Sequence, residues 1–97
     1  MAWIETIRIH LGRGSRGEES KKLLKMMEAE FAPLEKSQWE CYRNLTVKED
    51  LMFVLHWAEG PITPLGSDLA LMLVRELKKQ GLVEHTMWED TQFERGC

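Results

Sequence analysis

Apolar and polar side chains alternate along three stretches of the chain, residues 3–11, 39–46 and 82–88. Alternation sends successive side chains to opposite faces, so it predicts strands with one buried face. A fourth stretch, LMFVLHW at 51–57, is apolar without interruption. Such a run predicts a strand that is covered on both faces. We expect it to form a hairpin with the stretch at 39–46.

Two further stretches carry apolar side chains at helical spacing. The first helix is predicted over residues 18–32, and Pro33 ends it. Its apolar face comprises Leu23, Leu24, Met27 and Phe31. The second helix is predicted to begin at Ser67 or Asp68 and to end at Gly81. Its apolar stripe comprises Leu69, Ala70, Leu73, Val74 and Leu77.

The predicted elements follow the order β-α-β-β-α-β, which is the split βαβ pattern. This order predicts an α+β, ferredoxin-like domain over residues 1–89. Its four strands form one antiparallel sheet in the order 4-1-3-2, and both helices cover the same face. Residues 90–97 are predicted to form a polar C-terminal tail.

A winged-helix DNA-binding domain is the competing architecture, because it also ends with a helix, Gly-Leu-Val and a strand, as in ELKKQGLVEH. That architecture needs a helix over residues 47–60, where LMFVLHW is apolar all round and has no helical stripe. Between residues 63 and 81 there is room for only one good helix, and a recognition helix needs another before it. The winged helix is therefore the less favoured alternative.

Composition and charge favour a cytoplasmic protein that does not bind nucleic acid. The 97 residues carry a formal net charge of −3 and give a pI of about 5.6, without a concentrated basic face for phosphate contacts. No apolar run is long enough to span a bilayer, and the N-terminus is unlike a signal peptide. Cys41 and Cys97 fit neither a metal site nor a disulfide framework, so we expect reduced thiols and no bound metal.

Several quoted segments together resemble a known superfamily. They are FVLHW ending in Trp57, the preceding strand with Tyr42, the helical GSDLALMLVRELKKQGLV, and EHTMW. In this order they resemble the dimeric α/β-barrel superfamily, within it the antibiotic-biosynthesis-monooxygenase-like proteins, over residues 1–89. The resemblance implies a homodimer whose sheets pack face to face, with a pocket between sheet and helices. It also implies cofactor-free oxygenation of a small phenolic or quinol-like ligand.

The same superfamily includes haem-degrading enzymes, which place a His early in the second helix. In this chain the corresponding region reads PITPLGSDLA, with Ser67 near the expected place and no His. Haem ligation from this helix is therefore not expected, and no cofactor is predicted.

Strand parity places Glu5 and His85 on the face beneath the helices, on neighbouring strands. A carboxylate that orients an imidazole is a general-base pair, because it fixes the tautomer and raises the basicity of the ring. Trp3, Phe53 and Trp57 are predicted to give this face the aromatic wall of a ligand pocket. The sequence thus predicts a catalytic Glu5–His85 pair beside a flat pocket.

Each of these residues also has a purely structural interpretation. Glu5 can bond a backbone N–H, and His85 can be a satisfied, half-buried residue. Arg43 is predicted either to orient an anionic or phenolate group in the pocket or to extend into solvent from an edge strand. A non-enzymatic ligand-binding or structural dimer therefore stays open beside the oxygenase-like enzyme.

The opposite face of the sheet is the predicted dimer interface. Met52, Val54 and His56 alternate onto it from the apolar strand, where a partner sheet would cover them. A histidine buried at a two-fold interface can make dimerisation depend on pH.

Overall fold

The helices and strands follow the predicted order in the computed structural model, which describes residues 2–12, 17–59 and 66–90. Their bounds are β1 Trp3–Leu11, α1 Gly17–Glu30, a short 3-10 helix Lys36–Gln38, β2 Trp39–Arg43, β3 Asp50–Trp57, α2 Asp68–Leu77 and β4 Gly81–Glu89. Neither described helix is long and apolar enough to cross a membrane.

The four strands form one antiparallel sheet in the order β2-β3-β1-β4, which is the predicted order read from the other edge. Residues 51–57 belong to a strand, so the winged-helix alternative is wrong. The α+β arrangement is compatible with a ferredoxin-like fold. In the central strand β1, Trp3 lies opposite Trp57 of β3, and Ile7 lies opposite His85 of β4.

Both helices cover the same face of this sheet. Every second residue of β1 is buried, beginning with Trp3 and ending with Leu11. The core is formed by Ile7, Ile9, Leu11, Leu23, Met27, Phe31, Leu51, Phe53, Leu55, Ala70, Leu73 and Leu77. At its centre Phe31 contacts Trp39 and Phe53, with ring centroids 4.9 and 6.0 Å away. Burial of these apolar side chains is the main stabilisation of the fold.

The helix α2 begins where the sequence predicts. Ser67 is its N-cap, and the hydroxyl oxygen accepts a hydrogen bond from Ala70 N at 3.2 Å. Its C-terminal end differs from the prediction, because the helix stops at Leu77 and Gly81 is already the first residue of β4. A Cβ at Gly81 would lie 3.1 Å from the carbonyl carbon of His10, so glycine permits close pairing with β1.

The strand β2 ends at Arg43 and not at the predicted residue 46. The side-chain oxygen of Asn44 accepts hydrogen bonds from the N–H groups of Thr46 and Val47, at 2.8 and 2.9 Å. This local turn removes those groups from the strand ladder. The predicted tail lies outside the described residues except for Asp90, whose N–H donates to Ala2 O at 2.9 Å.

Candidate functional site

The carboxylate of Glu5 is fully buried and is held by three donors. Trp57 Nε1 donates to Oε1 at 2.7 Å, and Ser67 N donates to Oε2 at 3.0 Å. His85 Nε2 lies 2.7 Å from the same Oε2. One carboxylate therefore connects β1, β3, β4 and the beginning of α2, which is how a buried charge is tolerated.

The sheet register explains this convergence. Glu5 lies opposite Leu55 on one side and Met87 on the other, so Trp57 and His85 are its diagonal neighbours on the same face. The fourth participant, the N-terminus of α2, presents free N–H groups and the positive end of the helix dipole. Glu5 and His85 therefore lie on the same face and are in contact, as strand parity predicted. Glu5 also accepts a hydrogen bond from a backbone N–H, that of Ser67, as the purely structural interpretation expected.

Within the described residues, the imidazole of His85 is hydrogen-bonded through one nitrogen. Nε2 faces Glu5, and among the described residues no hydrogen bond reaches Nδ1. The side chain is 14% exposed, so the ring is neither sealed nor free in solvent. A carboxylate that accepts from Nε2–H leaves Nδ1 as the basic atom. The pair has the arrangement of an oriented general base.

The backbone of Gly66 packs directly against the Glu5–His85 pair. Its φ of +87° lies in the left-handed region that favours glycine. A Cβ there would lie 2.5 Å from His85 Cε1 and 2.8 Å from His85 Nε2, and would also overlap Glu5. Backbone and side chains are packed so closely here that no larger residue fits without displacing the Glu5–His85 pair.

A pocket of about 750 Å³ lies beside the pair, at the end of the sheet where β1 begins and β3 and β4 finish. Its aromatic walls are Trp3, Trp57 and Trp88, and we call it the tryptophan pocket. The other lining residues are Ala2, Ile4, Glu35, Ser37, Gln38, His56, Ala58, Glu89 and Asp90. The rings of Trp3 and Trp57 are 6.0 Å apart and inclined by 31°. Trp57 joins pocket and pair, because its ring is a wall and its N–H binds Glu5.

Trp3, one of the residues that line the pocket, has a buried indole N–H. The residue is 4% exposed, and its indole N–H has no acceptor among the described residues. Buried polar groups are nearly always hydrogen-bonded, and an unpaired one costs free energy. A ligand with an acceptor oxygen in the tryptophan pocket would satisfy this donor once the Trp3 ring turned its N–H toward the pocket.

The predicted pocket residues do not all meet. Trp3 and Trp57 line the tryptophan pocket, but Phe53 is fully buried in the core. Arg43 lies toward the other end of the sheet, opposite Leu51, and donates to Ser20 Oγ at 3.1 Å. It lines a smaller pocket of about 240 Å³ there. The prediction used face parity alone, and parity does not say how far along a strand two residues lie.

Trp88 is the aromatic pocket residue that the prediction missed. It belongs to the face of the sheet opposite the helices, which we call the outer face, and it is 60% exposed. The tryptophan pocket wraps round the end of the sheet and so takes side chains from both faces. A large exposed aromatic residue near the C-terminal end of a strand was the available signal.

The outer face carries the predicted interface residues. Met52 and His56 are partly exposed, and Val54 is 7% exposed. Around them lie exposed apolar side chains, Leu82 at 76% and Tyr42 at 48%. This face has no covering element in the described ranges.

Two hydrogen-bonded carboxylates lie on the outer face. Glu40 accepts from Tyr42 Oη and is bonded to His56 Nε2. These bonds, from Tyr42 first and then His56, lower the pKa of Glu40, and the bond to Glu40 raises the pKa of Tyr42. Asp50, which is buried, contacts His10 Nδ1 at 2.9 Å and Arg8 at 3.4 Å.

The described residues offer neither a metal centre nor an activated thiol. They contain no group of three or more His, Cys, Asp or Glu side chains arranged to hold a metal ion. Burial raises the pKa of the Cys41 thiol to about 11, although the nearby Arg43 opposes the shift. At neutral pH Cys41 is therefore a protonated, partly buried residue packed against the core and not a nucleophile.

No family model, curated protein or solved structure matches this chain. The functional assignment therefore depends on the chemistry of the pocket and the buried pair.

Proposed function

We propose that the protein binds a small, flat aromatic ligand in the tryptophan pocket. Trp57 and Trp88 supply accessible aromatic surfaces, and Trp3 lines the pocket although it is only 4% exposed. A volume of about 750 Å³ is in the range of small-molecule sites. Stacking against such rings favours flat, conjugated molecules over aliphatic ones.

The indole N–H of Trp3, which has no acceptor in the described part of the chain, is the observation that carries this proposal. An empty apolar wall could be ordinary surface, but a buried donor without an acceptor has a cost that a ligand removes. A phenol or quinol oxygen provides that acceptor. The ligand class implied by the resemblance to cofactor-free oxygenases therefore agrees with the chemistry of the wall.

Proton removal from the bound ligand is the second candidate function. Oxygenation of a quinol without a cofactor begins with loss of a proton, and His85 Nδ1 is a base that Glu5 orients through Nε2. Because His85 does not line the tryptophan pocket, this proposal requires the Trp57 ring to move aside so that the ligand reaches His85 Nδ1. His85 then removes the proton, and Glu5 is a positioning residue. Trp57 connects the two parts, since it contacts the ligand and donates to Glu5.

The alternative to a catalytic role is that Glu5 only stabilises the fold. Complete burial and the hydrogen bond from Ser67 N favour that role, because both would serve to hold α2 against the sheet. If Glu5 has only this structural role, the protein binds its ligand without catalysing a reaction.

We further propose that two copies pack through their outer faces. The outer face exposes Leu82, Tyr42 and Trp88 beside the partly exposed Met52 and His56 and the buried Val54, and a second sheet would cover these side chains. The tryptophan pocket would then lie at the edge of the interface, since Trp88 belongs to both.

Binding is tested by NMR titration of the protein with 4-ethylphenol, following the indole N–H signals. We expect the Trp3 signal to move, and the Trp88→Ala variant to bind about fivefold more weakly. Leu82→Ala is the matched control, because Leu82 is an exposed residue of the same strand and face outside the pocket. Saturating ligand without a shift of the Trp3 signal would contradict the proposal.

Turnover is tested by protein-dependent oxygen uptake with simple quinols. If His85 is the base, His85→Gln lowers the rate by about 100-fold or more and leaves ligand affinity unchanged. If wild-type protein gives no uptake while it binds the ligand, the binding function stands and the catalytic one is wrong.

A further inference from the structure

Carboxylates predominate around the tryptophan pocket. Glu35 and Glu89 line it and are exposed, and no ion pair joins either of them to a cation within the described ranges. Asp90 lines the pocket as well. Among the described lining residues there is no Lys or Arg, and Nε2 of His56 is bonded to Glu40. The described part of the rim therefore carries carboxylates and no Lys or Arg side chain.

The aromatic walls also favour a positively charged ligand. The face of an indole ring attracts a cation that lies within about 6 Å of its centre, and Trp is the strongest side chain in this respect. Trp3 and Trp57 form adjacent walls, and Trp88 adds a third ring. Aromatic faces next to carboxylates are the usual surroundings of bound amines and quaternary ammonium groups.

An anionic ligand would find no Lys or Arg among the described residues that line this pocket. Arg43, which the sequence suggested as the partner of a phenolate, lies toward the other end of the sheet and lines a different pocket. Desolvating an anion against negative rim groups is unfavourable.

We propose that the ligand of the tryptophan pocket is an aromatic amine in its protonated form. Its ring packs among the tryptophans, an oxygen on the ring accepts from Trp3 N–H, and its ammonium group lies between the indole faces and the carboxylates of Glu35 and Glu89. This inference rests on the proposed binding function and names the charge class of its ligand.

Three probes of the same shape test the charge. Tyramine, 4-ethylphenol and 4-hydroxyphenylacetate share a phenol with a two-carbon substituent and differ in being cationic, neutral and anionic. Calorimetric titration is expected to give tyramine a dissociation constant at least about fivefold below that of 4-ethylphenol, with the anion weakest. The preference should shrink with added salt, because the carboxylates are exposed.

The carboxylates are tested by the double variant Glu35→Gln/Glu89→Gln. We expect it to reduce the ratio of tyramine to 4-ethylphenol affinity by about threefold and to leave 4-ethylphenol binding unchanged. Glu28→Gln/Glu30→Gln is the matched control, because it removes the same charge from exposed positions of α1 outside the pocket. The control is expected to keep the wild-type ratio.

The other possible results of these titrations would overturn the charge inference. Equal affinities for the three probes, with the Trp3 signal moving, would overturn the charge inference and leave the binding function standing. Tightest binding of the anion, or the same loss in both double variants, would overturn it as well. Binding of none of the probes would overturn the binding function and this inference together.

Discussion

The indole N–H of Trp57 donates to Oε1 of Glu5 at 2.7 Å, although the two residues are 52 positions apart. The ring of the same Trp57 is a wall of the tryptophan pocket. A ligand that moves this ring must lengthen or redirect a hydrogen bond of a fully buried carboxylate. Pocket and pair are therefore mechanically connected, even though neither Glu5 nor His85 lines the pocket.

The first prediction concerns the stability that Glu5 provides. In Glu5→Gln, one carboxylate oxygen becomes an NH₂ group that faces the donors Trp57, Ser67 or His85. At least one buried donor then loses its acceptor, and we expect the free energy of unfolding to fall by about 1–3 kcal/mol. Urea denaturation measures this change. Glu28→Gln, at an exposed helical position, should stay within about 0.5 kcal/mol of wild type, and an equally small effect at Glu5 would refute the prediction.

The second prediction concerns Gly66. Gly66→Ala places a Cβ in contact with Glu5 and His85 and forces a non-glycine residue to a φ of +87°. Both effects destabilise, and together we expect a loss of about 2 kcal/mol or more. Thermal unfolding and the His85 ring signals in NMR report the loss of stability and the displaced imidazole.

Gly12→Ala is the natural control for Gly66. A Cβ at Gly12 would have no atom within 4 Å. We expect this substitution to change stability by less than about 1 kcal/mol, and in either direction. If Gly66→Ala behaved like Gly12→Ala, the tight packing over the Glu5–His85 pair would be contradicted.

Much of this architecture could be predicted because it depends on periodicity. Alternation over β1 gave its bounds and its buried face, and the apolar run at 51–57 identified β3 as a strand. Once the strand order was assumed, parity alone put Glu5 and His85 on one face of neighbouring strands. These are local patterns that a single sequence displays.

The position of the pocket could not be predicted, because it depends on distance along the strands and on loop conformation. Parity grouped Arg43 with Trp57, although they lie toward different ends of the sheet. Nothing in GPITPLGS indicates that Gly66 would adopt positive φ above the pair. The short turn of Asn44 likewise depends on a side-chain hydrogen bond that competes with the strand.

The third prediction concerns Tyr42, the single tyrosine of the chain. Its hydrogen bond to Glu40 raises its pKa above the ordinary value of 10.0. Spectrophotometric titration follows this residue alone, and we expect a midpoint above 10 that returns toward 10 in Glu40→Ala. A midpoint that does not respond to this substitution would show that the bond is not formed in solution.

The same contact predicts how stability depends on pH. The pKa of Glu40 is lowered from 4.5, so its contribution is present above that value and is lost as pH falls through the folded-state pKa. The pKa of Tyr42 is raised, so its contribution is complete below pH 10 and is lost as pH rises through the folded-state pKa. The stability difference between wild type and Glu40→Ala should therefore be largest between about pH 5 and pH 9.

The fourth prediction concerns the reactivity of Cys41. With a pKa of about 11, its thiolate fraction at pH 8 is lower by about two orders of magnitude than that of an ordinary thiol. In a Cys97→Ser background we expect iodoacetamide to alkylate the folded protein about 100-fold more slowly than the urea-unfolded chain. Rates within about fivefold of each other would contradict the buried environment of Cys41.

The fifth prediction concerns the outer face. If two copies bury it, light scattering at micromolar concentration gives a mass of twice 11.3 kDa. Met52→Lys places a second cation opposite Arg8 near the centre of the outer face, where a partner sheet would desolvate it, so we expect this variant to be monomeric. Leu45→Lys is the matched control, because Leu45 is 98% exposed in the turn after β2, and it should remain dimeric. A wild-type mass of 11.3 kDa would refute the interface, while the ligand pocket would still be tested independently by the Trp3 signal.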